Sequence, residues 1–277
     1  MVQRTVLVTG ASGLLGTWLR RTGPDDVSLV SVVHRARLTG TPQVTADLRD
    51  PDATIAAVAE ARPSLVVHAA YAGDEGSIVQ ATQNVARACA ASGAALLHIS
   101  TDAVFSGDGR ARAESSAPDP IAAYGRWKAL AEQLVMDVLP DAAIVRLPLV
   151  VSLDPEDAAI ARLRAGAAAG GASTWYHDEI RQPAMANDLA VGLWSIASLD
   201  EERRAGVWHL PGPERLSRHE IARRAAALLG LGDETVTATP APRSPPRPLD
   251  LHLTAEGARG EIGWEPGRVL LPATSPA

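Results

Sequence analysis

A tyrosine and a lysine stand four residues apart in AAYGRWKALAEQLV, residues 122–135. At 100° per residue, Trp127, Leu130, Ala131, Leu134, Val135 and Val138 share one arc of a helix, with Tyr124 inside it and Lys128 at its edge. One reading is structural: a core tyrosine, and a solvated lysine paired with Glu132 one turn on. The other is chemical. A free phenol, with a pKa of about 10, is a poor acid–base catalyst at neutral pH, but a nearby ammonium favours phenolate and brings it into range. Upstream, HISTDAVFSG places the hydroxyls of Ser100 and Thr101 at the end of a strand-like run. Near the start, VLVTGASGLLG carries Gly10, Gly13 and Gly16 between a strand-like and a helix-like segment. Gly10 allows a tight turn, Gly13 lets a pyrophosphate approach the backbone, and Gly16 lets helix and sheet pack. Exposed N–H groups and the positive helix end would then attract the anion. A glycine-rich turn without a ligand is the alternative. The loop lacks the lysine and hydroxyl ending of a P-loop, which argues against nucleoside triphosphate hydrolysis.

These residues need a frame, and the chain supplies one. The runs TVLVT (5–9), VSLVSVV (27–33), PSLVVHAA (63–70), AALLHIS (94–100) and AAIVRLPLVV (142–151) are short, apolar and strand-like. Between them lie PDATIAAVAEA, GSIVQATQNVARACAA and IAAYGRWKALAEQLVMDV, each long enough for a helix. Strands that are apolar throughout, alternating with helices, imply a parallel sheet covered on both faces. The fold class expected is α/β, a doubly wound Rossmann-type sheet with a small C-terminal lobe. Residues 1–151 would form the dinucleotide-binding domain and 152–277 mostly the substrate lobe, with about 181–212 returning to the first domain. Helices are expected over 160–173 (dissolving into a loop), 187–198 and 217–230, the last with Ser217 as N-cap, Glu220 completing a capping box and Gly230 as stop. TPAPRSPPRP (239–248) reads as an extended connector.

Bulk properties narrow the function classes. A net charge of −6 offers no general attraction to nucleic acid or to anionic membranes. The single Cys89 excludes an internal disulfide or a cysteine-rich metal cluster and fits a reducing cytosol. No run has the length of a membrane span or of a signal-peptide core, so a cytoplasmic location is expected. No metal-ligand spacing appears, and His68, His98 and His209 read as core or channel residues. At the end of the second strand, VVHRARL offers His34, Arg35 and Arg37 where an acidic residue would read an unphosphorylated ribose. That favours a 2′-phosphate, with Arg35 foremost, so NADP(H) is preferred over NAD(H).

A hydroxyl at a strand end followed by Tyr and Lys four apart is the pattern of short-chain dehydrogenases/reductases. With VTGASGLLG, ADLRDP, RPSLVVHAAY, LLHISTDAVFSG, DPIAAYGRWKALAEQLV, DEIRQPAMANDLA and RPLDLHL…EIGWEP in order, nearly the whole chain resembles the extended branch, and within it the dTDP-4-dehydrorhamnose reductase group. The resemblance implies an NADPH-dependent reductase of a nucleotide-linked 4-keto sugar. Hydride passes to the carbonyl carbon while Tyr124 protonates the oxygen, Thr101 hydrogen-bonds it, and Lys128 tunes Tyr124 and holds the nicotinamide ribose. It also implies that Ser12, Leu14 and Leu15 belong to the phosphate loop, that Asp47 and Leu48 flank adenine, and that Ala69, Ala70, Tyr71 and Ser100 line the cofactor channel. Asp102, Ala103, Val104, Pro148 and Arg181 would face substrate, Arg181 through a phosphate or else paired to Asp188.

Departures from the group are informative. Ala103 and Ser106 replace an aromatic residue and an aspartate, which would enlarge and neutralise a wall near the substrate. Ile78 stands where an asparagine is usual, so any proton relay there must use water or another group; Asn84 matches a later asparagine. Residues 152–177 would form the substrate lid, in which Trp175, Tyr176 and His177 either stack on a base or pack beneath the loop. Ala103 after Asp102 denies the acidic pair of the superfamily's dehydratases. The other readings are an epimerase and an NADP-binding regulatory subunit. Association into a homodimer through exposed helices is a further expectation.

Overall fold

The computed structural model describes residues 4–35 and 37–271, so the outer limits 1 and 277 of the two expected units lie outside it. Strand β1 (Arg4–Thr9) leads into α1 (Leu14–Arg21), and β2 (Val27–Val33) into β3 (Gln43–Thr45). Next come α2 (Pro51–Ala61), β4 (Leu65–His68) and a wide π-turn (Gly76–Gln80) that runs into α3 (Ala81–Ser92). After β5 (Ala95–Thr101), a 3₁₀ turn (Asp102–Val104) and β6 (Asp108–Arg112) precede α4 (Ala123–Val138) and β7 (Ala143–Leu147). The later part holds β8 (Val150–Val151), α5 (Ala158–Ala168), β9 (Ser173–Tyr176), β10 (Ile180–Arg181), β11 (Ala184–Met185) and α6 (Ala186–Ala197). It ends with α7 (Glu201–Arg204), β12 (Gly206–His209), β13 (Leu216–Ser217), α8 (Arg218–Leu228), β14 (Val236–Thr239), β15 (Asp250–Leu253) and α9 (Glu256–Ile262).

Seven strands form one parallel sheet in the order β12-β7-β5-β4-β1-β2-β3. Its strands alternate between two buried faces. Val6, Val8, Val67, Leu97 and Val145 pack with Leu19, Leu189, Leu193, Trp194 and Trp264 of α1, α6 and the segment after α9. Leu7, Val66, Leu96 and Ile144 pack with Ala57, Val58, Val85, Cys89 and Val135 of α2, α3 and α4. Helices on both faces explain why the strand sequences are continuously apolar. The order in which strands are added reverses at the β1/β4 boundary, with β2 and β3 to one side and β5, β7 and β12 to the other, and ligand crevices open at the carboxyl ends of strands at such a point.

A second, four-stranded sheet, β13-β10-β15-β6, joins three strands of the later part to β6, an excursion of the earlier part between β5 and α4. Its neighbouring core joins Val151, Ile160, Leu163, Trp175, Leu216 and Ile221. The α8 cap forms as its sequence demands, since Glu220 N donates to Ser217 Oγ at 3.0 Å and Ser217 N to Glu220 Oε2 at 2.7 Å. Other boundaries differ from the sequence expectation. The run 142–151 is broken at Pro148, which has no N–H to give a ladder, into β7 and the separately paired β8. The helix expected from Gly76 opens as a π-turn before becoming α-helical at Ala81. Strands β3 and β6 are too short and polar to have been marked by alternation.

Candidate active site

The phosphate loop is shaped by atoms its glycines lack. Gly10 has φ +68°, and a Cβ there would stand 2.8 Å from the Ala69 backbone. A Cβ on Gly16 would collide with the carbonyl oxygen of Gly10. Helix α1 begins at Gly13 with no side-chain cap and no acidic residue in its first turn, so its free N–H groups and dipole face the cleft uncompensated. That is a cradle for a phosphate group, and the residues present fit a dinucleotide.

Around this loop opens a cleft of about 1460 Å³. At the end of it beside β2 and β3 stand His34, Arg35, Asp47 and Leu48. Arg49, which sequence reasoning passed over, clamps Asp47 through Nη2 at 2.7 Å and Nε at 3.0 Å, while His34 Nε2 lies 3.8 Å from the same carboxylate. The Arg49 guanidinium holds the Asp47 carboxyl well below the usual carboxylate range. Arg35 is exposed and borders the cleft; Arg37 is exposed and does not. Asn84 donates to the carbonyl of Leu48 at 3.0 Å and so braces this wall from behind.

In the middle, Ala69, Ala70 and Tyr71 follow β4, and Ser100 and Thr101 end β5. Helix α4 brings Tyr124 and Lys128 to the same wall. It can approach so closely because Gly125 has no Cβ, which would otherwise overlap the carbonyl oxygen of Ala103. Tyr124 and Thr101 are hydrogen-bonded through their hydroxyls, and the Tyr124 ring lies 6.1 Å from that of Tyr71. Lys128 is buried, donates to the carbonyl of Ile99 at 2.8 Å and sits 5.5 Å from the Tyr71 ring. Burial pushes its amine down to about 8, against the pull of Glu132. All other basic positions counted among the 26 lysines and arginines are arginine, so Lys128 is the only lysine in the chain.

The acidification of Tyr124 expected from sequence is not produced by the protein's own groups. Burial, then Tyr71, and further on Asp102, push its hydroxyl above the ordinary phenol range, and only the Thr101 hydrogen bond opposes them. Desolvation wins because the phenol lies in the cleft wall while the Lys128 ammonium is turned to Ile99. A tyrosine in this state keeps its proton until a strong base appears.

At the far end Asp102, Ala103, Pro148 and Arg181 border the cleft with two residues that sequence reasoning missed, Glu179 and Arg218. Arg181 does not pair with Asp188, which accepts from Asn187 and Gly267 N instead. It is held by Glu179 at 3.0 Å and by the carbonyls of Ile180 and Pro248. Burial lowers Arg218, with Glu179 opposing. Its position directly after the Ser217 cap was legible, but the direction of its side chain was not. Burial pushes the Asp102 carboxyl up to about 6 against the pull of Arg181. Two sequence expectations fail here. Val104 is fully buried in a cluster with Phe105, Leu251 and Leu253, because the 3₁₀ turn rotates it away from the cleft. Ser106 donates to Asp119 at 2.8 Å and accepts from Arg112, outside the lining. Trp175 packs in the later core under Arg162 and is no free stacking surface. Among the described residues no group of three or more His, Cys, Asp or Glu could hold a metal ion, and no helix is long and apolar enough to cross a membrane.

Residues 4–266 match the family described as RmlD substrate binding domain. The chain belongs to that family. Within it, a dTDP-4-dehydrorhamnose reductase of Mycobacterium tuberculosis is 32% identical over 266 residues, 86% of this chain and 82% of the relative. Methionine adenosyltransferase 2 subunit beta of Danio rerio is 29% identical over 270 residues, 90% of this chain and 82% of that one. The crystal structure of dTDP-4-dehydrorhamnose reductase from Bacillus anthracis in complex with NADP superposes with a TM-score of 0.81 at 22% identity, covering 93% of this chain and 92% of that chain. The RmlD-like group of extended short-chain dehydrogenases/reductases thus accounts for the α/β fold with its seven-stranded parallel sheet.

Proposed function

We propose that this protein is an NADPH-dependent reductase of a nucleotide-linked 4-keto sugar, with NAD(H) as a poorer cofactor. The observation that carries the reading is one wall bearing the Thr101 hydroxyl, the Tyr124 hydroxyl and the Lys128 amine, in the same cleft as the glycine cradle. NADPH, when bound, supplies the hydride. Tyr124, protonated and desolvated, gives its proton to the developing alkoxide, a far stronger base than a phenolate. Thr101 hydrogen-bonds the same oxygen, and Lys128 in its ammonium form stabilises the phenolate left behind. Gly10, Gly13 and the first turn of α1 hold the pyrophosphate, Asp47 and Leu48 flank adenine, and His34 and Arg35 meet the 2′-phosphate. Arg181 and Arg218 suit the phosphates of a nucleotide sugar, and Asp102, Ala103 and Pro148 suit its sugar. On this reading the unit built on the second sheet is the substrate lobe, the chain works in the cytosol, and it self-associates as a homodimer, which sedimentation would measure.

The test is direct. Purified protein should oxidise NADPH with dTDP-4-keto sugars, followed by the fall in nicotinamide absorbance, and Arg35→Ala should erase the preference over NADH. Tyr124→Phe should lose about 10³-fold in kcat and still bind NADPH; near-normal turnover would refute the assignment. The likeness to methionine adenosyltransferase 2 subunit beta supplies the second reading, an NADP-binding regulatory subunit. Tight NADPH binding with no turnover on any ketone would favour it.

A further inference from the structure

Arginine cannot release its proton in the working range of an enzyme, whereas a buried lysine can. In a chain that uses arginine at every other such position, the charge of Lys128 is therefore set by its surroundings. Ionisable groups bear on it from the elements packed around it: Glu132 from α4 itself, His68 from β4, Tyr71 from the loop beyond and His98 from β5, while Tyr124 of α4 and Asp102 of the 3₁₀ turn bear on each other. The π-turn, GSIVQ, contributes none, and the Cys89 thiol of α3 is pushed up to about 12 and stays neutral. Both imidazoles are neutral as well. Burial and then the Lys128 charge take His68 down to about 3, and the same causes with His68 added take His98 well below its usual value. Asp102 bears on Tyr124, so the carboxylate that bears on Lys128 is Glu132, one turn along the helix.

Glu132 is itself nearly enclosed and held from two strands. Ser100 of β5 donates a hydrogen bond to Oε1, and Arg146 of β7 donates from Nε to Oε1 at 3.1 Å and from Nη2 to Oε2 at 2.8 Å. Arg146 Nη1 reaches the carbonyl of Ser116 at 3.4 Å and contacts His209 Nε2 at 3.3 Å, and His209 Nδ1 in turn meets the carbonyl of Thr254 at 2.9 Å. A buried ion pair of this kind contributes little net stability compared with apolar packing of the same volume, so its presence calls for another account.

We propose that Glu132 is a positioning residue for the reductase: clamped by Ser100 and Arg146, its carboxylate keeps the Lys128 amine charged and sets α4 against the end of β5, where Thr101 stands. The inference rests on the reading of Tyr124 and Lys128 given above. The lone lysine makes it directly measurable. In the full chain labelled with carbon-13 lysine, one Cε resonance reports the protonation of Lys128 as pH is varied, with NADPH bound or absent. Glu132→Gln should lower that midpoint by about one pH unit. The alkaline fall in kcat should move down with it, at little change in KM for NADPH. Should this variant not fold, Glu132→Gln with Arg146→Met withdraws both charges and is read in the same way. The midpoint still falls, because Glu132 lies one turn from Lys128 and Arg146 stands behind it. A folded variant whose lysine titrates as in the wild type overturns the inference. A lowered midpoint in a protein that reduces no ketone overturns the reductase reading and leaves the pairing of Glu132 with Lys128 intact.

Discussion

Burial drives both Tyr124 and Lys128 towards their neutral forms. The phenol is pushed up and so stays protonated, whereas the amine is pushed down to about 8 and so titrates close to neutrality. If the ammonium form is the one that stabilises phenolate, reduction should proceed at full rate below pH 8 and decline as pH rises through the Lys128 value. A kcat profile flat from pH 6 to beyond pH 9 would contradict this assignment. Asp102 makes a separate prediction. Its folded value of about 6 lies above the ordinary 3.8, so the folded protein holds a proton that the unfolded chain has released. Stability on this account is full below the unfolded value, falls as pH rises between about 4 and 6, and stays reduced above that, by about 3 kcal/mol. Asp102→Asn should therefore raise the urea midpoint at pH 7.5 and leave it nearly unchanged at pH 4. Equal midpoints at both pH values would show that the carboxylate is better solvated than its enclosure suggests.

On the proposed reading helix α4 is the element on which catalysis depends, because one helix carries Tyr124, Lys128 and Glu132 at four-residue intervals. Spacing alone puts the three on one side, but their distance from β5 is decided by Gly125 and the carbonyl of Ala103. Gly125→Ala must push the helix away from the 3₁₀ turn, since the obstructing atom is backbone. The expected result is a loss of roughly 1–3 kcal/mol in stability. Turnover should fall at least tenfold, and NADPH affinity should change less than kcat, because the glycine cradle sits on α1. Circular dichroism melts and steady-state rates would separate these effects. An active, equally stable Gly125→Ala protein would mean that the helix is not in intimate contact with the turn.

At the scale of the whole molecule, the cleft is lined by the first sheet's strand ends on one side and by Glu179, Arg181 and Arg218 on the other. A ligand that bridges both should stabilise the molecule as one unit. NADPH at a hundredfold excess over its Kd would add about 2.7 kcal/mol, raising Tm by several degrees, and Tyr124→Phe should keep that rise. A rise lost in the variant would imply that Tyr124 mainly holds cofactor.

Local spacing made much of this protein legible. The glycine loop, the continuously apolar strands, the Ser217 capping box and the Tyr124/Lys128 interval are all patterns within a few residues, governed by backbone sterics and helical periodicity. From them the doubly wound sheet and most of the cleft's lining follow. Burial and long-range pairing do not repeat along the chain, so no pattern announces them. That Val104 turns into a core, that Arg181 chooses Glu179 over Asp188, that Tyr124 is raised and not lowered, and that Ser100, Glu132 and Arg146 meet behind Lys128 were decided only when β5, α4, β7 and the later sheet packed together. The cause is the same in each case: the free energy of a polar or ionisable group depends on how much water it keeps and on which distant partner replaces that water, and both are properties of the packed chain.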